Sequence, residues 1–153
     1  MGTQITPVDE PSYSTISRVV ATGETVSKGH VLTYTSSFDP DAATPVMEVE
    51  LIDVDESVKT AVGVALEDAA AGEQVRIVVS GEAQVLVDGT AAVAIGDPLI
   101  ASAGTAGELI LHAAANATEP TFAEAAATSD KIVPLEAQAA TSGTLTWCLV
   151  ACR

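Results

Sequence analysis

Aromatic side chains are almost missing from this chain: Phe, Trp and Tyr together make up 3% of its 153 residues. Any core must therefore be filled by Ala, Val, Leu and Ile, each of which removes little apolar area from water. At roughly 25 cal/mol per Å² such a core stabilises weakly per residue. Burial between copies would add what one copy lacks. Basic residues are scarce as well, six Lys and Arg against 21 Asp and Glu, for a net charge of −15. Binding to phosphate backbones depends on Lys and Arg displacing counterions, so direct contact with DNA or RNA is excluded as a main role. The acidity suits solubility through self-repulsion, or a basic partner surface.

Other absences narrow the chemistry. No stretch approaches 18 consecutive apolar residues, so no helical membrane span is expected. The first residues, MGTQITPVDEPSYSTIS, lack a basic region followed by an apolar one and do not read as a signal peptide. There is no G-x-S-x-G elbow and no phosphate-binding glycine loop, since Gly29 precedes His30 rather than a Lys-Ser or Lys-Thr pair. Only two cysteines occur, Cys148 and Cys152. On a strand they would lie about 13 Å apart at roughly 3.3 Å per residue, too far for a disulfide or a shared metal. Thiols of this kind fit a reducing compartment. His30 and His112 are isolated from other ligand types and read as a turn residue and a strand-end residue. Asp39-Pro40-Asp41 and Asp53-Val54-Asp55-Glu56 lack the spacing and central glycine of a calcium loop and read as solvated acidic loops. No catalytic, cofactor-binding or metal-binding residue is assigned.

What the chain does contain is a succession of short apolar runs separated by glycine turns. Residues 1–17, with Pro7 and Pro11, read as an extended arm, and residues 18–153 as a β domain. Strand patterns follow at Arg18–Ala21, Val31–Thr35, Val46–Ile52, Ala61–Leu66, Gln74–Val79, Gln84–Val87, Leu99–Ala101 and Thr144–Val150. Asp88-Gly89 is a tight-turn dipeptide. Trp147 sits in a strand pattern that reads as core. The Ala-rich segment 113–128 supports either one short helix, with Thr118 as N-cap and Pro120 in its first turn, or a loop. The expected fold is all-β, a small barrel or sandwich with at most one short helix.

The pattern also repeats. Val26-x-x-Gly29-x-x-Leu32 matches Val93-x-x-Gly96-x-x-Leu99 at an offset of 67 residues. Leu66-Glu67-x-x-Ala70 before one strand matches Leu135-Glu136-x-x-Ala139 before another, at an offset that starts at 69 and grows to 71. This suggests two related β units, about 18–81 and 82–153, packed about a pseudo-twofold axis. Gly29 and Gly96 are then equivalent turn residues, and substitution of either is expected to cost a similar amount.

Three stretches taken in order resemble a family of phage capsid decoration (cement) proteins. They are Gly23–Leu32 (GETVSKGHVL), Val62–Glu73 (VGVALEDAAAGE) continuing into Val75–Gly81, and Ile95–Leu99. The resemblance spans about residues 18–107 and more loosely 131–150. It implies a structural protein without enzymatic activity that binds the major capsid protein on the outer surface of a tailed-phage head. It also implies assembly as a homo-oligomer, most often a trimer, synthesis in the host bacterial cytoplasm, and no nucleic-acid or membrane partner. The arm and segment 113–128 depart from the shorter forms. A carbohydrate- or receptor-binding β module on a virion surface is the alternative, and it lacks the exposed aromatics such modules use. A small β-barrel enzyme is the third reading, and it lacks clustered His, Cys or paired carboxylates.

Overall fold

The computed structural model describes residues 12–35, 47–53, 61–89, 91–102, 104–111, 132–139 and 143–152. The segment 113–128 lies outside them, as do His112, Asp39 and Asp41. The described residues form eleven strands and no helix: β1 (Tyr13–Val20), β2 (Thr25–Val26), β3 (Val31–Tyr34), β4 (Glu48–Leu51), β5 (Gly63–Ala65), β6 (Ala69–Ala70), β7 (Gln74–Val87), β8 (Leu99–Ala101), β9 (Leu109–Leu111), β10 (Ile132–Pro134) and β11 (Thr144–Ala151). The fold is all-β. Residues 1–11 of the expected arm are outside the described set, but Tyr13–Ser17 belong to β1, where they pair antiparallel with β7. Alternation around Ile16 continues the strand further back than the apolar run alone suggests.

Strand pairing in the first half closes on itself. The path β1–β4–β3–β5–β7 is completed by β1 pairing with β7, which makes a small five-stranded barrel. Most of these contacts are antiparallel, and β1–β4 is parallel. Closure leaves no free edge and gives every inward side chain a neighbour. The interior holds Val20, Val26, Leu32, Val49, Ala65, Val75, Ile77 and Val79. The long strand β7 then runs on and pairs with β11 from Ser80 to Val87. With β8, β9 and β10 it builds the second half around Val87, Val93, Leu99, Leu109, Ile132, Cys148 and Val150. No aromatic ring is among the buried hydrophobic residues described, as the composition requires.

The same contacts recur in the two halves. Gly29 N donates to Ala65 O at 2.9 Å, and Gly96 N to Pro134 O at 3.0 Å. Leu66 N donates to Arg76 O at 3.0 Å, and Leu135 N to Trp147 O at 2.8 Å. A carboxylate supports each of these turns: Glu67 accepts from Arg76 N at 3.1 Å, and Glu136 from Trp147 N at 2.8 Å. The parallel contact Val20↔Val49 has its counterpart in Val87↔Leu109. Antiparallel Val64↔Val78 has its counterpart in Val133↔Leu149.

Details still differ between the halves. Trp147 is half-buried rather than in the core, because the period of two in β11 turns Thr146, Cys148 and Val150 inward instead. Gly29 and Gly96 both have left-handed backbones, with φ of 90° and 83°. A Cβ on Gly29 would come within 2.5 Å of the Leu145 side chain and 3.2 Å of the Leu86 backbone nitrogen, whereas a Cβ on Gly96 meets nothing within 4 Å. The two positions share a conformation but not an environment, so the expectation of equal cost is corrected. Gly96→Val carries the strain of a left-handed β-branched residue, about 1–2 kcal/mol or somewhat more. Gly29→Val adds overpacking, about 1–3 kcal/mol further. Thermal melting is expected to rank Gly29→Val as least stable, Gly96→Val as intermediate, and Gly104→Val, which has no positive φ, close to the parent.

Thr146 supplies a second comparison. Its Oγ1 is buried and has no hydrogen-bond partner among the described residues, and Val75 occupies the corresponding place in the first half. An unsatisfied buried hydroxyl costs roughly 1–3 kcal/mol. Thr146→Val keeps the shape and removes the hydroxyl, so its melting temperature is expected to exceed that of the parent.

Candidate functional site

Several polar groups that attract attention in the sequence have a structural task among the described residues. His30 closes the turn before β3: its Nδ1 accepts from Ser27 N at 3.0 Å, and its own N donates to Ser27 O at 3.0 Å. Asp97 does the same before β8, where Oδ2 accepts from Ala94 N at 2.7 Å. Burial lowers the His30 pKa below its ordinary value, against an opposing pull from Asp68. The imidazole is therefore held neutral, as a turn acceptor must be. Cys148 is buried inside the second half, and burial, reinforced by the charge of Glu136, pushes its thiol up to about 12. A thiol so far from ionisation is a poor nucleophile. Neither cysteine is in a disulfide. Asp53 follows Ile52 at the end of β4, while Asp55 and Glu56 lie outside the described residues. No cluster of three potential metal ligands occurs among the described residues.

Ser102 shows why a buried serine need not be a nucleophile. Its hydroxyl donates to Asp88 Oδ2 at 2.6 Å and accepts from the backbone nitrogens of Gly104 and Thr105 at 3.1 and 3.3 Å. All these bonds fasten the turn that joins β8 to β9. The ion pair of Arg76 with Glu67, 3.1 Å long, is exposed and screened by water.

A cavity of about 270 Å³ opens at one end of the first barrel, lined by Ile16, Arg18, Tyr34, Val62, Val79 and Cys152 among others. Arg18 stretches over the Tyr34 ring at 5.8 Å from its centroid and donates from Nε to Tyr34 Oη at 3.2 Å. One basic residue of a chain that has few is thus spent on a cation–π contact at the barrel mouth. No local pattern marks this pair, because Arg18 and Tyr34 are brought together only by barrel closure. The arrangement offers an apolar recess with one positive group at its rim.

The remaining candidates are contact surfaces. Tyr13, Met47, Ile95, Leu135 and Leu149 are the large apolar side chains exposed among the described residues, Ile95 the most at 69%. Leu149 stands on the outer side of β11 and pairs with Val133, and Gly96 N binds the carbonyl just before Leu135. Ile95, Leu135 and Leu149 therefore share one region of the second half. An apolar region of this kind is where a macromolecular contact is expected.

Comparison with known proteins agrees with a contact role. The sequence profile of the family described as phage cement protein matches residues 15–139. No curated protein matches the chain. Among solved structures, the chain is similar to the N base of the head fiber gp8.5 of bacteriophage phi29. The two share 14% identity at a TM-score of 0.54, over 92% of this chain and 96% of that one. At that identity the likeness speaks to the fold.

The His30 turn yields a pH prediction. Its folded-state pKa lies below the unfolded value near 6.5, so between the two the unfolded chain binds more protons. The stability this group contributes is complete above the unfolded value and is lost as pH falls through the folded one. His30→Asn keeps a side-chain acceptor without the titration. Going from about pH 7.5 to about pH 5.5, the parent is expected to lose more melting temperature than His30→Asn.

Proposed function

We propose, from the fact that this chain belongs to the phage cement protein family, that it binds the outer surface of a tailed-phage head and clamps contacts between major capsid protein subunits. The match over residues 15–139 carries this reading, and it supports a structural role in the phage capsid. The physical character of the molecule agrees with it. Its turns are satisfied internally, its buried thiol is inert, and its free surface is acidic and partly apolar. A net charge of −15 suits a face turned away from packaged DNA and no direct contact with nucleic acid. In this reading the protein is made in the host cytoplasm, has no catalytic activity, needs no cofactor and acts on the virion as a homo-oligomer, a trimer by family resemblance. An oligomer that touches several subunits gains effective concentration at each contact after the first, so modest contacts become a lasting clamp.

Co-sedimentation tests the reading. Purified protein mixed with shells of the major capsid protein of its own phage is expected to pellet with them at a fixed ratio and to raise the temperature at which they fall apart. Protein left in the supernatant at saturating shell concentration would overturn it.

A further inference from the structure

Corresponding positions in the two halves are covered very unequally. Val64 and Val78 pair across β5 and β7 and are both 0% exposed. Their counterparts Val133 and Leu149 pair in the same register, yet Val133 is half-buried and Leu149 is 46% exposed. Val31, which pairs with Val64, is buried, and its counterpart Pro98 is exposed. The cover over the first-half residues is the second half itself. Val31, Val64 and Val78 share one buried cluster with Ala83, Val85 and Leu99. Across the boundary Leu86 N donates to Gly29 O at 2.9 Å, and Val31 N to Gly107 O at 2.8 Å. A twofold relation would cover equivalent residues equally. The observed cover runs one way, so the halves meet head to tail and not about the pseudo-twofold axis the repeat suggested.

A head-to-tail contact used once inside a chain leaves one surface of each kind unused. The outer face of the second half is the first, carrying Ile95, Leu135 and Leu149. The second is the part of the first half that corresponds to the covering surface. Counterparts of Leu86 and Gly107 there are Val19 and Met47, and Met47 is 41% exposed beside the β1–β4 pairing of Val19 with Glu48. The cavity belongs to this surface. Its residues Ile16, Arg18, Tyr34 and Val79 correspond to Ala83, Val85, Ala101 and Val150, all of which are sealed in the buried cluster that the first half completes. Of the five large apolar side chains exposed among the described residues, three lie on one unused surface and Met47 on the other, which makes the two surfaces partners for each other.

We propose that a second copy of this chain covers this face: Ile95, Leu135 and Leu149 of one copy dock beside the β1–β4 pair and the cavity mouth, at Met47, Arg18 and Tyr34, of the next. Contact between copies then repeats the contact between halves, and such a heterologous interface closes into a ring when its rotation allows. One departure sets its strength. Pro98 has no N–H, so the bond from Val31 N to Gly107 O has no counterpart, and burial of side chains carries the contact. Apolar burial also overcomes the like-charge repulsion between two acidic copies. The inference rests on the self-association part of the proposed function and not on shell binding.

Sedimentation velocity without shells, at tens of micromolar protein, separates the outcomes. The parent is expected to form a defined oligomer. Leu149→Glu breaks one surface and Met47→Glu the other, and each is expected to weaken association by about 100-fold or more and to sediment as a monomer. An equimolar mixture of the two retains one competent pair of surfaces, so it is expected to form heterodimers and nothing larger. A face that docks on its own copy in a second molecule cannot produce that result. If melting shows Leu149→Glu to be unfolded, Ile95→Lys in the exposed turn takes its place. A monomeric parent, with the face covered by its own chain or by the shell, would overturn the proposal. So would variants that still assemble, or a mixture that stays monomeric. Shell binding lost with assembly intact would count against the capsid reading and leave this one standing.

Discussion

One unbroken strand holds the molecule together. β7 runs through 14 residues, and its two ends serve different layers of structure. Its first part completes the barrel with β1 and β5, and its second part is the partner of β11. A register shift opposite Ser14 and Thr15 absorbs the change of direction between them. Because the strand is continuous, the orientation of one half fixes that of the other without a hinge. The buried cluster that spans the boundary depends on this, since Val78 and Val85 belong to the same strand and the same cluster.

A core without aromatics makes that continuity necessary. Interiors built from Val, Leu, Ile and Ala bury too little area in either half for a comfortable margin, and small domains are marginal even with ordinary cores. Sharing β7 lets the outer face of the first half become interior as well. Closure of the barrel by β1 removes one pair of edges that would otherwise invite uncontrolled pairing. The acidic surface works in the same direction, because like charges oppose uncontrolled association.

Polar groups among the described residues are used to hold turns and strands in place. His30 and Asp97 close equivalent turns, Glu67 and Glu136 support equivalent strands, and Ser102 with Asp88 ties a loop. These are the groups that a catalytic reading would recruit, and each already has a partner that fixes it. What stays available is surface: an acidic field, a cavity mouth with one tethered arginine, and exposed Leu and Ile side chains on the second half. Those are the materials of a binding protein, and they agree with the family to which the chain belongs.

The sequence by itself marked most of the longer strands, the glycine turns and the character of the core, but not the short strands β2, β6, β9 and β10. Alternation with a period of two is local, so Gln74–Val79 and Gln84–Val87 are readable where they stand, and the glycines before β3 and β8 mark turns because a left-handed backbone is cheap only there. Composition likewise dictated an interior without rings. The sequence could not show that these two runs are one strand, that Tyr13–Ser17 join the sheet, that Trp147 faces away from the core, or that Arg18 lies over Tyr34. Each of these depends on a neighbour far away in the chain. The same holds for the unequal cost at Gly29 and Gly96, and for Val78 being covered where Leu149 is not. Local pattern sets a residue's conformation, but burial is a property of whatever packs against it, and only the tertiary structure decided which of two equivalent faces found a partner within the chain.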